Sequence, residues 1–209
     1  IESSAASDVY KRQTKAGPHG DFIFELDYIV GELMAALDKH GFADNTLVIF
    51  SSDNGPEVPT VLSMRQDYKH DGARPWRGVK RDNWEGGHRV PFIARWPGKI
   101  KPGTRSSQTL SLTDLMATFA AITNVKLPQE AGEDSVNMLP ALIGSDEGKS
   151  IRKYTLHQTI SLALAIRRGP WKYLDHKGSG GNNYDRAGRW GMKKYIVPEK
   201  EPEAPGQLY

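Results

Sequence analysis

A carboxylate and an amide stand side by side where an apolar segment of the chain ends. Asp53 and Asn54 follow residues 46–50, a β-branched and aromatic run that predicts a buried strand. The two side chains would then lie at the edge of a sheet, where α/β enzymes build their sites. Adjacent oxygen donors suit a hard cation such as Ca²⁺ or Mg²⁺. Because Gly55 and Pro56 follow directly, this segment taken alone is equally typical of an ordinary turn.

Several segments of the chain, taken in order, resemble the type I sulfatase family. The resemblance is carried by residues 20–27 (GDFIFELD), 51–56 (SSDNGP), 77–98 (RGVKRDNWEGGHRVPFIARWPG), 165–173 (AIRRGPWKY) and 207–209 (QLY). Members of that family hydrolyse sulfate esters with a formylglycine nucleophile and a divalent metal. The resemblance implies an α/β, alkaline-phosphatase-like sulfatase fold, here as a partial catalytic domain. It also implies a small C-terminal α+β subdomain with antiparallel strands.

The resemblance assigns roles to three residues of this sequence. Asp53 and Asn54 occupy the positions of metal ligands in the family, which favours a metal site over a turn and implies Ca²⁺, or else Mg²⁺, as a cofactor. Lys80 matches the family's sulfate-contacting lysine and is the candidate catalytic residue. A fixed ammonium stabilises both the sulfate charge and the charge that develops on the leaving oxygen. Two ligands are too few for Ca²⁺, which takes about six to eight oxygens.

Other polar residues near these motifs receive weaker assignments. Glu85 is predicted to accept hydrogen bonds and so to orient nearby donors, with a solvated glutamate as the alternative. His157 and His176 are candidate substrate-binding residues at the pocket edge, with a structural role as the alternative for both. Gly86 and Gly87 would permit a close backbone approach that side chains would block. The remaining charged neighbours of Lys80 are interpreted as rim or structural residues: Arg77, Arg81 and His88.

The sequence lacks two features of the family that it resembles. Neither the Cys/Ser-x-Pro-Ser-Arg nucleophile motif nor the Asp-Asp pair of further metal ligands occurs, and the chain contains no cysteine. We therefore expect an internal or C-terminal fragment of a sulfatase. An upstream segment would then supply the formylglycine nucleophile, the other metal ligands and the catalytic histidine. On its own, the chain is expected to be inactive.

Composition is ordinary for a globular domain and argues against nucleic acid as a partner. Charged residues make up 25% and hydrophobic residues 38% of the chain, and the net charge is only +3. No basic block is present, and no apolar run approaches the length of a membrane span. The implied partner is a small-molecule or glycan sulfate ester. The resemblance implies a periplasmic or secreted protein, while the residues themselves leave localisation and oligomeric state open.

Hydrophobic spacing predicts the elements that would position these residues. Apolar residues three or four positions apart predict a helix over residues 21–40 that ends at Gly41. Residues 46–50 and 90–96 predict strands, and residues 112–122 a second helix.

Further along the chain the same reasoning predicts two loops and three short strands. Residues 58–74 are polar and rich in turn formers, which predicts a long surface loop. Residues 178–183, rich in glycine, predict a flexible loop. The predicted strands are residues 154–158, 162–167 and 171–174, of which the last two are joined by a Gly-Pro turn.

These elements suggest a division of the chain into three parts. Residues 1–13 match nothing in the family and are interpreted as a non-native or disordered head. Residues 14–145 would form the C-terminal part of the catalytic domain, and residues 146–209 a small, truncated C-terminal subdomain.

Three functions remain open from the sequence. The first is hydrolysis of sulfate esters to an alcohol and inorganic sulfate. The second is a phosphatase, phosphodiesterase or phosphonate hydrolase activity of the alkaline phosphatase superfamily, which shares fold and metal. The third is binding of sulfated glycans without turnover. The nucleophile motif would discriminate among them.

Overall fold

The computed structural model describes residues 14–182, 184 and 205–209, so the predicted head of residues 1–13 lies outside the described part. Its helices are Gly17–Lys39 (α1), Val58–Asp67 (α2), Glu85–His88 (α3), Leu115–Ile122 (α4) and Leu139–Ile143 (α5), with 3₁₀ turns at Ala43–Asn45 and Leu112–Asp114. Its strands are Val48–Ser51 (β1), Phe92–Arg95 (β2), Thr155–Gln158 (β3), Leu164–Arg168 (β4), Trp171–Leu174 (β5) and Gln207–Leu208 (β6).

The strands form two antiparallel sheets. β1 pairs with β2, with Val48 opposite Arg95 and Ser51 opposite Phe92. The last four strands form a second sheet in the order β3-β4-β5-β6, which confirms the predicted antiparallel strands of the C-terminal part. β1 was predicted to be buried, but all four of its residues are only half-buried. Among the described residues this strand has a single neighbour, so one of its edges is uncovered.

The predicted N-terminal helix is present as α1, but its apolar face is not covered. Gly41 follows the helix at φ 73°, the left-handed conformation that ends helices. Phe22, Ile29 and Leu33 are 62%, 54% and 53% exposed, and the buried residues of this helix are Gly17 and Asp21. No described helix is long and apolar enough to cross a membrane. The described residues thus leave an apolar helix face without a packing partner.

The prediction of a surface loop over residues 58–74 is wrong, because this segment carries α2 and much of a core. Val58, Val61 and Met64 recur every three residues along the helix and are buried. The Glu57 side chain caps the helix by accepting a hydrogen bond from the backbone N–H of Val58 at 3.0 Å. The buried cluster comprises Val58, Val61, Met64, Ala73 and Val79. Three apolar residues at helical spacing form a buried face of this helix, although polar residues stand between them.

A second buried cluster joins the C-terminal sheet to the segment that carries Lys80. Trp84 packs with Ala165 of β4 and Leu174 of β5. Since Val79 belongs to the first cluster and Trp84 to the second, the intervening residues are anchored at both ends. The two cores therefore fix the backbone around Lys80.

The described part of the C-terminal glycine-rich loop is packed against the segment around Lys80, and its predicted flexibility stays a prediction. Ser179 is 3% exposed, and its carbonyl oxygen accepts a hydrogen bond from the backbone N–H of Asn83 at 2.8 Å. The Asn182 amide donates to the Lys80 carbonyl oxygen and to Asp82 Oδ1, each at 2.8 Å. Residue 183 lies outside the described residues. These hydrogen bonds fasten the loop to the segment around Lys80.

The second predicted helix begins with a 3₁₀ turn and continues as α4, anchored by a buried carboxylate. Asp114 is fully buried and accepts hydrogen bonds from the backbone N–H groups of Ser111 at 2.8 Å and Val136 at 2.9 Å. The Arg152 guanidinium forms an ion pair with the same carboxylate. Asp114 thus ties together three segments, one of which carries Ser111 to the wall of the cleft described below.

Candidate functional site

Asp53 and Asn54 lie on the turn that follows β1, which we call the strand-end turn (residues 52–57). The Asn54 amide donates to Asp53 Oδ1 at 2.6 Å, and the Ser52 hydroxyl donates to the Asn54 carbonyl oxygen at 3.1 Å. Asp53 is exposed and Asn54 is half-buried. Oδ2 of Asp53 and Oδ1 of Asn54 have no hydrogen-bond partner among the described residues. These two oxygens fit a hard cation in kind.

The donor set is nevertheless incomplete within the described part of the chain. No group of three or more histidine, cysteine, aspartate or glutamate side chains comes together there in a way that could hold a metal ion. Since Ca²⁺ takes about six to eight oxygens, Asp53 and Asn54 could supply only part of its coordination.

The strand-end turn is clasped by the segment of residues 77–88, which we call the lysine loop. The backbone N–H of Gly55 donates to the Gly87 carbonyl oxygen at 2.8 Å, and that of Lys80 to the Pro56 carbonyl oxygen at 2.9 Å. A β-carbon on Gly55 would lie 1.8 Å from the Gly86 carbonyl oxygen. Added β-carbons on Gly86 and Gly87 would lie 2.2 and 2.0 Å from carbonyl oxygens of the lysine loop. The predicted close backbone approach at these glycines is confirmed.

Lys80 therefore sits on the same backbone unit as Asp53 and Asn54. Its Nζ lies 3.7 Å from Glu57 Oε2, and its side chain is 36% exposed. Arg81 binds the same carboxylate through both of its terminal nitrogens, at 2.6 and 3.0 Å. The arrangement leaves Lys80 as a half-exposed cation beside the strand-end turn.

Glu85 lies at the centre of a cluster of cations. Its carboxylate oxygens lie 3.0 Å from Lys172 Nζ, 2.7 Å from Arg167 Nη2 and 3.3 Å from Arg89 Nη1. Lys172 Nζ also donates a hydrogen bond to His88 Nε2 at 2.7 Å. Glu85 thus accepts hydrogen bonds from Arg89, directly after the lysine loop, and from two strands of the C-terminal sheet, and its role in the site stays a prediction.

Burial and neighbouring charges set the protonation states in this cluster. Burial works against ionisation of Glu85, but the neighbouring His88 ring, the hydrogen bond from Arg167 and the charge of Lys172 hold the pKa of Glu85 far below its usual range. Burial lowers the pKa of Lys172 to about 8, although the Glu85 carboxylate opposes this shift. Glu85 is therefore an ionised carboxylate at neutral pH, and Lys172 is mostly protonated.

His157 joins this cluster at the wall of a cleft. Its ring lies 3.9 Å from the His88 ring, centroid to centroid. Burial, followed by the neighbouring His88 and Lys172, lowers the pKa of His157 to about 3, so the ring is neutral at pH 7. The cleft has a volume of about 720 Å³, and its walls include Asp53, Glu85, His88, His157 and Arg167. The structure thus brings one candidate metal ligand and two other predicted residues into a single cleft.

His176 and the arginines predicted as rim charges lie elsewhere. His176 Nε2 lies 2.9 Å from Asn83 Nδ2, which donates to it and also to the Ala163 carbonyl oxygen at 3.0 Å. Arg77 stacks on the Trp84 ring, with its guanidinium carbon 3.7 Å from the ring centroid. Lys80, Asn54 and His176 are not among the described residues that line the cleft. His176 thus contacts Asn83 of the lysine loop and does not line the cleft among the described residues.

Sequence reasoning missed Lys172, Arg167 and Glu57. Lys172 is 2% exposed and alternates along β5 with exposed residues, on the same face as the fully buried Leu174. A lysine on the buried face of an alternating strand must have a partner, since an unpaired buried charge is costly. That alternation was the available signal for Lys172. Glu57 could have been found as the cap of the helix that was predicted as a loop.

Comparison with known proteins gives a consistent result. The family model described as Sulfatase matches residues 5–125, a range that begins within the predicted head. The chain is 38% identical over 162 residues to an N-acetylgalactosamine-6-O-sulfatase of Bacteroides thetaiotaomicron, which covers 76% of this chain and 31% of that protein. It is 37% identical over 140 residues to a steryl-sulfatase of Rattus norvegicus, which covers 66% of this chain and 24% of that protein. The chain thus spans about a third or less of the length of these relatives.

A solved structure also resembles the model over nearly all of its length. It is a sulfatase from a study of the metabolism of multiple glycosaminoglycans by Bacteroides thetaiotaomicron, with a TM-score of 0.74 and 30% identity. The match covers 96% of this chain and 40% of that one. This likeness confirms the predicted alkaline-phosphatase-like sulfatase fold, while the division of the chain at about residue 145 stays a prediction.

Proposed function

The chain belongs to the sulfatase family, and we propose from this premise that the full-length gene product that carries it hydrolyses sulfate esters. The products would be an alcohol and inorganic sulfate. Asp53 and Asn54 would hold part of a Ca²⁺ or Mg²⁺ site, and Lys80 would contact the sulfate group. The formylglycine nucleophile of the family would have to come from residues outside this sequence.

One observation carries the proposal: the backbone clasp between the strand-end turn and the lysine loop. Through it, the candidate metal ligands and the candidate sulfate-binding cation belong to one rigid unit. A sulfate monoester carries a fixed negative charge, which a preorganised ammonium stabilises without reorganising during the reaction. The metal, when bound, would withdraw charge from a sulfate oxygen. Lys80 would hold another part of the sulfate group and stabilise the negative charge on the leaving oxygen.

The cleft favours a sugar as the alcohol part of the substrate. Its walls carry hydrogen-bonding side chains, among them Gln108, Ser111, His157 and Arg167. Apolar residues also line the cleft, among them Phe92, Leu110 and Leu112. A lining of this mixed kind suits a sugar, whose hydroxyl groups need hydrogen-bonding partners, better than a wholly apolar steroid. One relative is named for a sulfated amino sugar and another for a steryl sulfate. We infer that the full-length gene product acts on a glycan sulfate ester.

The test measures release of inorganic sulfate from sulfate esters, and of inorganic phosphate from a phosphate ester, by the full-length gene product in the presence of Ca²⁺. A sulfated hexosamine, an aryl sulfate, a steroid sulfate and an aryl phosphate are compared at equal concentration. We expect the sulfated sugar to be hydrolysed with the highest kcat/KM and the phosphate ester with the lowest. Faster hydrolysis of the phosphate ester would indicate the phosphatase alternative. Binding of the sulfated sugar without any release would indicate a non-catalytic binder.

A further inference from the structure

Lys80 and Arg81 both lie beside the Glu57 carboxylate, but Arg81 lies closer to it. Arg81 Nη1 and Nη2 lie 2.6 and 3.0 Å from the two oxygens of Glu57, a bidentate geometry. The backbone N–H of Val58 donates to Glu57 Oε1 at 3.0 Å. Lys80 Nζ lies 3.7 Å from Oε2 and has no hydrogen-bond acceptor of its own among the described residues. Both oxygens of Glu57 therefore accept hydrogen bonds from Arg81, and Lys80 Nζ lies nearby without a hydrogen bond to them.

The backbone presets this geometry. Arg81 adopts φ 83°, a left-handed conformation that is unfavourable for a residue with a β-carbon. Such a conformation persists only where the surroundings hold it. A β-carbon on Gly181 would lie 1.8 Å from the Arg81 carbonyl oxygen, and the Asn182 amide donates to the Lys80 carbonyl oxygen at 2.8 Å. With Lys80 bonded to Pro56 on the other side, the loop is clamped from two directions.

From this geometry we propose that Glu57 and Arg81 act as a positioning pair for Lys80. Arg81 keeps both oxygens of the Glu57 carboxylate occupied, so that Lys80 stays beside the strand-end turn without being neutralised by Glu57. The inference rests on the proposed function, because it assumes that Lys80 binds the sulfate group. It assigns a role to Arg81, which sequence reasoning had placed among the rim charges.

Electrostatics gives the expected consequence of removing Arg81. The hydrogen bond from Arg81 is the chief cause that holds the pKa of Glu57 below its usual range, so this carboxylate is ionised at neutral pH. Without Arg81, the nearest cation is Lys80, whose Nζ needs to move by less than 1 Å to form a direct ion pair. A lysine held in that pair has less charge available for a sulfate oxygen. Glu57 would then compete with the substrate.

The experiment measures the affinity for inorganic sulfate by calorimetry, together with KM and kcat for an aryl sulfate, in the full-length gene product. Arg81→Ala should weaken sulfate affinity and raise KM by on the order of fivefold, the size expected for a half-exposed ion pair. Adding Glu57→Gln to Arg81→Ala should bring both values back to within about twofold of the unmutated protein. If Arg81 merely braced the loop, the second substitution would leave the defect unchanged or deepen it, and that result would overturn the proposal.

The chain offers a matched control at Arg65. This residue of α2 makes a similar bidentate pair with Asp71, at 2.6 and 3.0 Å. Arg65→Ala should lower thermal stability and leave sulfate affinity unchanged; an equal loss of affinity would show that the effect of Arg81→Ala is general destabilisation and would contradict the proposal. Absence of sulfate binding by the unmutated protein would also overturn it. Hydrolysis by the unmutated protein tests the proposed function separately, so failure of the proposed function can be distinguished from failure of the positioning pair.

Discussion

Glu85 brings together residues that are far apart in the sequence. The cationic groups of Lys172, Arg167 and Arg89 lie within 3.3 Å of its carboxylate. Because Lys172 is almost fully buried, removing Glu85 would leave a buried charge without its main partner, which is a costly change in proteins. This ion cluster forms one wall of the cleft that Asp53 also lines. Single residues thus link the C-terminal sheet to the candidate site.

The first residue-scale prediction concerns the metal. Asp53→Ala removes the only charged oxygen donor of the candidate pair, so the full-length gene product should bind Ca²⁺ more than about tenfold more weakly and lose nearly all sulfatase activity. Asn54→Ala should have a smaller effect, because a neutral amide contributes less to holding the ion. Isothermal titration with Ca²⁺ measures both. Unchanged Ca²⁺ affinity and turnover in Asp53→Ala would show that Asp53 is not a metal ligand.

The second residue-scale prediction concerns pH and His157. Its folded-state pKa of about 3 lies below the ordinary value of 6.5, so between these values the unfolded chain binds a proton that the folded chain excludes. The free energy of unfolding should therefore be highest above pH 6.5 and fall as the pH drops toward 3. The expected slope is up to about 1.4 kcal/mol per pH unit from this one group.

Chemical denaturation between pH 7 and 5 checks this expectation. His157→Gln should flatten the pH dependence, because glutamine keeps a polar side chain but does not titrate. His40→Gln, at an exposed position after α1, is the control and should leave the slope as it is. An identical slope in His157→Gln and the unmutated protein would show that His157 is not the responsible group.

At the scale of elements, the contact between the strand-end turn and the lysine loop depends on glycine. A β-carbon on Gly55 would lie 1.8 Å from a backbone oxygen that is held by the lysine loop. Gly55→Ala should therefore force the two segments apart, lower the unfolding temperature and weaken sulfate binding. Thermal unfolding and sulfate titration measure the two effects.

Gly31 provides the matched control for this change. It lies within α1, and an added β-carbon would meet nothing within 4 Å. Gly31→Ala should raise the free energy of unfolding by about 0.5–1 kcal/mol, because alanine is the better helix former. If the two alanine variants had the same unfolding temperature and sulfate affinity, the contact between the strand-end turn and the lysine loop would not require glycine at position 55.

The elements around the site were predictable to different degrees. α1, β2 and strands β3 to β5 followed from hydrophobic spacing, and the glycine contacts followed from residue type, whereas β6 was not predicted. α2 was missed because its three buried residues are separated by polar ones and preceded by turn formers. The lysine–glutamate pairing of Lys172 with Glu85 spans 87 positions, and local patterns carry no information about contacts at that distance. Candidate metal ligands that are adjacent in the sequence, such as Asp53 and Asn54, can be predicted without knowledge of tertiary contacts.

At the scale of the whole molecule, the described residues leave a large apolar face exposed. The exposed residues of α1 include Phe22, Ile23, Ile29 and Leu33, and Ile93 of β2 is 62% exposed. Contiguous apolar surface of this kind marks an interaction face or an aggregation hazard. The 209-residue chain alone should therefore bind a hydrophobic dye strongly and associate at micromolar concentration.

Dye fluorescence and light scattering test this expectation. Phe22→Ser combined with Ile29→Ser, both at exposed positions, should reduce dye binding without lowering the unfolding temperature. A monodisperse monomer that does not bind the dye would contradict the inference that this face is uncovered in the chain alone.

We expect the lysine loop to present Lys80 to a sulfate group beside the strand-end turn. The most direct measurement is kcat/KM for an aryl sulfate in the full-length gene product and in Lys80→Ala, with thermal stability measured alongside. Loss of a charge-assisted contact worth about 2–4 kcal/mol predicts a decrease of roughly thirty- to a thousand-fold. Lys149→Ala, which removes a lysine that is 80% exposed, should change kcat/KM by less than about twofold. Near-normal turnover by a stable Lys80→Ala protein would contradict the account.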